Sequence, residues 1–137
     1  MQSGADHNST FLIPSWRRAN LLAITLPRLK KFMPDVPIIV LDDYGEEDHA
    51  DPGSTLQVAT AHDCTVVNTR QGDDPNEWRI PGFAINIGAR MCDTERFVIM
   101  CPEMFVVSDP TWITEGLSNE LRAPVGIDDR DGHVLNH

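Results

Sequence analysis

The sequence predicts an α/β fold with a largely parallel sheet flanked by helices, and three observations carry that expectation. Short apolar runs alternate with stretches of helical periodicity along the chain. The runs are unbroken rather than alternating with polar residues, the pattern of strands buried on both faces. Three of them, Phe11-Leu12-Ile13, Ile38-Ile39-Val40-Leu41 and Phe97-Val98-Ile99-Met100-Cys101, lead directly into polar or charged residues. Those residues then share the edge outside the carboxyl ends of the strands, where open α/β sheets bind ligands.

Residues 1–9 read as a flexible leader and 10–137 as one domain. The leader is polar and lacks a positive segment followed by an apolar one, so it carries no signal-peptide pattern and the cytoplasm is the expected location. Thr10 to Ile13 is the first strand, stopped by Pro14. Asn20 to Phe32 has apolar residues at 22, 26, 29 and 33, one helical face, with a kink or break expected at Pro27. Ile38 to Leu41 is the second strand, and Tyr44 to Gly53 an acidic loop. Ser54 to Ala61 is a short helix with Ser54 as its N-cap.

Cys64 to Val67 is the third strand, followed by a long loop, Asn68 to Glu77, rich in Asp, Gly and Pro. Pro81 to Met91 is a helix, Pro81 suiting its first turn. Phe97 to Cys101 is a buried strand that Pro102 ends, with Glu103 just beyond it. Thr111 to Leu121 reads as an amphipathic helix with Asp109 or Thr111 near its start. Ala123 to Ile127 and His133 to Leu135 form a small C-terminal hairpin around the turn Asp128 to Gly132.

Bulk properties narrow the function classes. At 137 residues and 41% hydrophobic content the chain is long enough to bury a core, and no run approaches the roughly 20 apolar residues of a membrane span. A net charge of −10 argues against a duplex nucleic acid partner. Cys64, Cys92 and Cys101 lack metal-type spacing and read as reduced thiols. Charge is uneven: residues 1–41 hold five bases and two acids, residues 42–63 seven acids and no base. Such a juxtaposition fits a metal plus an anionic ligand, and equally a solvated acidic loop over Glu46 to Asp51.

Three blocks, in order, match one pattern. Pro14-Ser15-Trp16-Arg17-Arg18 follows the first strand, Asp42-Asp43-Tyr44-Gly45 the second, and Asn86-Ile87-Gly88 precedes the strand leading to Cys101-Pro102-Glu103. The chain thereby resembles the nucleotide-sugar-binding part of GT-A fold glycosyltransferases, in particular the family 2 group. That group carries Pro-Thr-Tyr-Asn-Arg, Asp-Asp-Gly-Ser, Asn-x-Gly and Asp-x-Asp at these places. Of the Asp-x-Asp acids only the second survives here, as Glu103, and Ile85 stands where the family often has Arg. The resemblance implies a GT-A-like, Rossmann-like domain and a metal-assisted, inverting glycosyltransferase that uses a nucleotide-diphosphate sugar, a UDP-sugar foremost.

On that reading Glu103 is the ligand of Mn2+ or Mg2+, whose need for oxygen ligands Cys101 does not meet. Pro14, Ser15 and Arg18 lie against the nucleotide, with Trp16 stacking on it or covering the core. Asp42 and Asp43 accept hydrogen bonds from the base or ribose, unless they serve only the turn after the strand. Arg70 and Arg79 are phosphate partners, Asn86 and Gly88 mark close helix packing, and Asp128, Asp129 and His133 are the candidate bases. A homo-oligomer or partner subunit is expected to complete the acceptor site. The alternative is a non-catalytic GT-A-like binding or assembly module. A nucleotidyltransferase would need a glycine-rich phosphate loop, and 14–18 contains no glycine.

Overall fold

A computed structural model of the chain describes residues 8–43, 51–69, 81–114, 126–127 and 134–135. Four strands form an all-parallel sheet in the order β3-β2-β1-β4: β1 (Ser9–Ser15), β2 (Ile38–Asp42), β3 (Thr65–Asn68) and β4 (Arg96–Ile99). The helices are α1 (Ala19–Phe32), α2 (Thr55–Ala61) and α3 (Pro81–Met91). A short antiparallel pair, β5 (Gly126–Ile127) and β6 (Val134–Leu135), stands in a second sheet where the hairpin was expected.

β1 and β2 are buried along nearly their whole length, which is what unbroken apolar runs between two neighbouring strands produce. Alternation divides their side chains between two cores. Phe11, Ile13, Ile38 and Val40 pack with Leu22, Leu26, Leu29 and Met33 of the α1 region and Ala59 of α2. Leu12, Ile39 and Leu41 face Ala84 of α3. The domain is therefore a sheet between two helical layers, consistent with a Rossmann-like arrangement. Each fully buried leucine in it is worth about 1.5–3 kcal/mol of apolar burial.

Pro14 does not stop β1, which runs on to Ser15 with Pro14 opposite Leu41. The bonds Phe11 N–H to Pro37 O and Asp43 N–H to Ser15 O lie on the β2 side, and Met100 N–H to Leu12 O on the β4 side. By alternation the missing donor of Pro14 faces β4, whose pairing with β1 ends at Leu12–Ile99. No ladder bond is lost, so the proline is tolerated. Nor does Pro27 break α1, a single helix of 14 residues. Pro27 and Ala23, whose carbonyl loses its partner, are both exposed, so water solvates that carbonyl while the opposite face stays packed.

β4 departs further from expectation. It is an edge strand of the described sheet, and only Val98 joins the α1–α2 core. Phe97 and Ile99 are 45% and 49% exposed, because α3 crosses over β1 and β2 and leaves that face of β4 uncovered among the described residues. The stretch expected as a helix from Thr111 begins as one turn of 3-10 helix, Thr111–Thr114; its continuation to Leu121 lies outside the described residues. Asp109 does mark its start, accepting hydrogen bonds from the backbone N–H and the hydroxyl of Thr111, which hold its carboxyl below the usual range. No helix among the described residues is long and apolar enough to cross a membrane.

Candidate functional site

The carboxyl ends of β1, β2 and β4 meet at an open cleft of about 300 Å³. Pro14, Ser15, Trp16, Arg18, Asp43, Ala84, Cys101, Pro102 and Glu103 line it. Three strand ends far apart in sequence thus contribute to one concavity, because β1 lies between β2 and β4 in a parallel sheet.

The β1–α1 corner forms one wall. Between Ser15 and Ala19 the chain must leave the sheet and enter a helix, and it does so with Arg17 in the left-handed region at φ 55°. Non-glycine residues pay for that conformation, and such outliers collect at ligand sites. The Arg17 guanidinium lies 5.3 Å from the centre of the Trp16 ring. Ser15 is only 3% exposed. Its hydroxyl and the Trp16 Nε1 are closed to solvent and have no hydrogen-bond partner among the described residues. Arg18 occupies the N-cap of α1; it makes no side-chain cap, and the first turn holds no acid. The positive end of the α1 dipole therefore opens beside an arginine.

The strand ends on either side of that corner carry carboxylates. Asp43 follows β2 directly, is 5% exposed, and is tied to the sheet by its backbone N–H, which donates to Ser15 O at 3.0 Å. Glu103 is exposed and sits on the turn after β4. Two contacts fix that turn: the backbone N–H of Met104 donates to Cys101 O at 3.0 Å, and the buried Thr25 hydroxyl of α1 donates to Pro102 O. Burial pushes the Cys101 thiol above its ordinary value, and the neighbouring Glu103 carboxylate raises it further.

Beneath the cleft, α3 lies close on the sheet. A Cβ added to Gly88 would come within 3.0 Å of both Leu41 δ-carbons and 3.1 Å of Leu12 Cδ2. This is the close packing expected of Asn86-Ile87-Gly88, with Asn86 itself exposed.

Of the residues singled out by sequence, Pro14, Ser15, Arg18, Asp43 and Glu103 come together here. Asp42 is not on the cleft. It ends β2 in the register position opposite Ser15, is 4% exposed, and its carbonyl accepts the Thr69 N–H at 2.8 Å. Arg70, Arg79, Asp128, Asp129 and His133 lie outside the described residues. Sequence reasoning missed Ala84, which reaches the cleft only because α3 crosses the sheet, and Thr25, whose signal was a polar residue on the apolar face of α1.

For a hard divalent cation the turn after β4 offers one acid where the resemblance calls for two, with Asp43 the other carboxylate on the cleft. The Cys101-Pro102-Glu103 turn supplies one hard oxygen ligand, and the Cys101 thiol, held protonated, is the wrong donor. Among the described residues no group of three or more His, Cys, Asp and Glu is placed to hold a metal ion. No known family model matches the chain, and no curated protein matches it.

Proposed function

We propose that the chain is the nucleotide-sugar-binding domain of a GT-A-like glycosyltransferase and that a nucleotide-diphosphate sugar, of the uridine series, occupies the cleft. The observation that carries the reading is the convergence of Pro14, Ser15, Arg18, Asp43 and Glu103, from three separate strand ends, on one concavity at the carboxyl edge of the sheet. Asp43 is an acceptor for ribose or base donors, Trp16 offers an aromatic face, and Arg18 a guanidinium for phosphate oxygens. At about 300 Å³ the cleft is at the low end of ligand pockets, roughly 300–1,000 Å³, and seats part of such a donor. In the reaction an acceptor hydroxyl oxygen attacks the anomeric carbon with inversion. The bond from that carbon to the phosphate oxygen breaks, the nucleoside diphosphate leaves, and the hydroxyl proton passes to a base. A second copy or a partner subunit completes the acceptor site.

One observation favours a second reading, a donor-binding module without turnover: Cys101 stands where the resemblance calls for an acid. A thermal-shift panel of nucleotide-sugars, paired with an assay for nucleoside diphosphate release, separates the two. Stabilisation with release supports the transferase, and stabilisation without release in any acceptor mixture supports the module. Absence of stabilisation by every nucleotide-sugar, with manganese or with a chelator, contradicts both.

A further inference from the structure

We infer that the phosphates of the ligand are gripped directly by the β1–α1 corner, through Ser15, Arg18 and the open N-terminus of α1, and not through a divalent cation at Glu103. The inference rests on the nucleotide-sugar reading for the ligand's identity, and on the polarity of the cleft for its placement. The corner offers an anion donors and a positive pole. Arg18 brings a guanidinium that bonds phosphate in a planar fork. The N-terminus of α1, a helix of 14 residues, has neither a side-chain cap nor an acid in its first turn to neutralise its dipole.

Ser15 supplies the independent sign. The residue lines the cleft and is more than nine-tenths buried, and its hydroxyl, just beneath the surface, has no hydrogen-bond partner among the described residues. A buried hydroxyl left without a partner is costly, and a turn of the Ser15 side chain toward an anion seated in the corner satisfies it. The Trp16 Nε1, a donor only, is in the same condition in the same wall.

The strand ends on either side of the corner have the opposite polarity. Asp43 and Glu103 are acceptors that repel phosphate and suit hydroxyls, which leaves the corner itself as the place for the anionic part of a ligand. With cationic charge already in the corner, the phosphates need no bridging metal, which accords with a soft thiol, Cys101, in the place of a second carboxylate on that turn.

The test is titration calorimetry of the full chain with inorganic pyrophosphate and with UDP, in a chelator and at moderate salt. The wild type is expected to bind both without metal. Arg18→Gln, at an exposed position, is expected to weaken both roughly tenfold or more. Ser15→Ala is expected to melt no lower than the wild type without ligand, since it removes an unsatisfied buried hydroxyl, yet to bind several-fold more weakly. Glu103→Gln is expected to leave pyrophosphate affinity unchanged or slightly raised. Failure of pyrophosphate to bind in chelator, or equal binding by Arg18→Gln, overturns the inference. UDP binding that requires manganese and Glu103 but ignores Arg18 also overturns it, while leaving the nucleotide-sugar reading intact. Arg18-dependent pyrophosphate binding with UDP and UDP-sugars no tighter does the reverse: the corner stands and the nucleotide-sugar reading falls.

Discussion

The two walls of the cleft are built by different means. The β1–α1 corner is five consecutive residues, 14–18, whose shape comes from one left-handed residue, Arg17, between a central strand and an uncapped helix. The carboxylate wall is assembled from two distant segments. Asp43 is held by the sheet's own hydrogen bonding, and Glu103 by a turn that α1 pins through Thr25. A local wall keeps its geometry as long as its strand and helix stand. An assembled wall depends on contacts from elsewhere in the fold, so changes far from the ligand should disturb the second wall selectively.

The largest expected effect comes from beneath both walls and should not discriminate between them. Gly88→Val forces α3 against Leu41 and Leu12, and overpacking of this kind costs about 2 kcal/mol. Chemical denaturation should show that loss, with binding weakened at both ends of the ligand. An unchanged midpoint would mean that α3 yields without cost.

Thr25→Val sharpens the contrast. It leaves the buried Pro102 carbonyl without its donor, which costs about 1–3 kcal/mol. Thr25→Ser should recover much of that stability. Pyrophosphate affinity at the corner should hold, while the contribution of Glu103 to UDP-sugar affinity, read from Glu103→Gln alone and on the Thr25→Val background, should shrink. Equal loss at both walls would contradict the separation drawn here.

The cysteines give smaller, pH-dependent effects. Cys64 is pushed from 9.0 up to about 11, chiefly by burial. A thiol whose folded value is raised contributes stability that is intact below the unfolded value of 9.0 and is lost as pH rises through about 11. Cys64→Ala should flatten the decline of melting temperature across that window. At Cys101 the alkylation rate should still be climbing above pH 9.0. Glu103→Gln should speed it at fixed pH, since Glu103 helps to raise that thiol. No change in rate would remove Glu103 from the neighbourhood of Cys101.

Much of this was legible in the chain because it is local. The unbroken run Ile38 to Leu41 marks β2 as a strand buried on both faces, Ser54 caps α2 by accepting the Gln57 N–H at 3.2 Å, and Pro81 opens α3. The strand-end pattern pointed to Pro14, Ser15, Arg18, Asp43 and Glu103 together. What the sequence concealed is non-local. The apolar Phe97 and Ile99 promise burial, but whether a helix covers β4 depends on where α3 crosses. Pro14 reads as a stop, and only the length of the β4 ladder makes it harmless. Asp42 and Asp43 are adjacent and chemically alike, yet alternation along β2 brings one to the cleft and not the other.

The proposed nucleotide-diphosphate sugar site lies where the ends of β1, β2 and β4 meet. Backbone amide shifts of the nitrogen-labelled chain, titrated with a UDP-sugar, test it most directly. The amides of Ser15 to Ala19, Asp43, Cys101 and Glu103 should move together with a single affinity, while those of Val66 of β3 and Ala59 of α2 stay fixed. Shifts centred instead on the uncovered face of β4, around Phe97 and Ile99, or no shifts at saturating UDP-sugar, would contradict it.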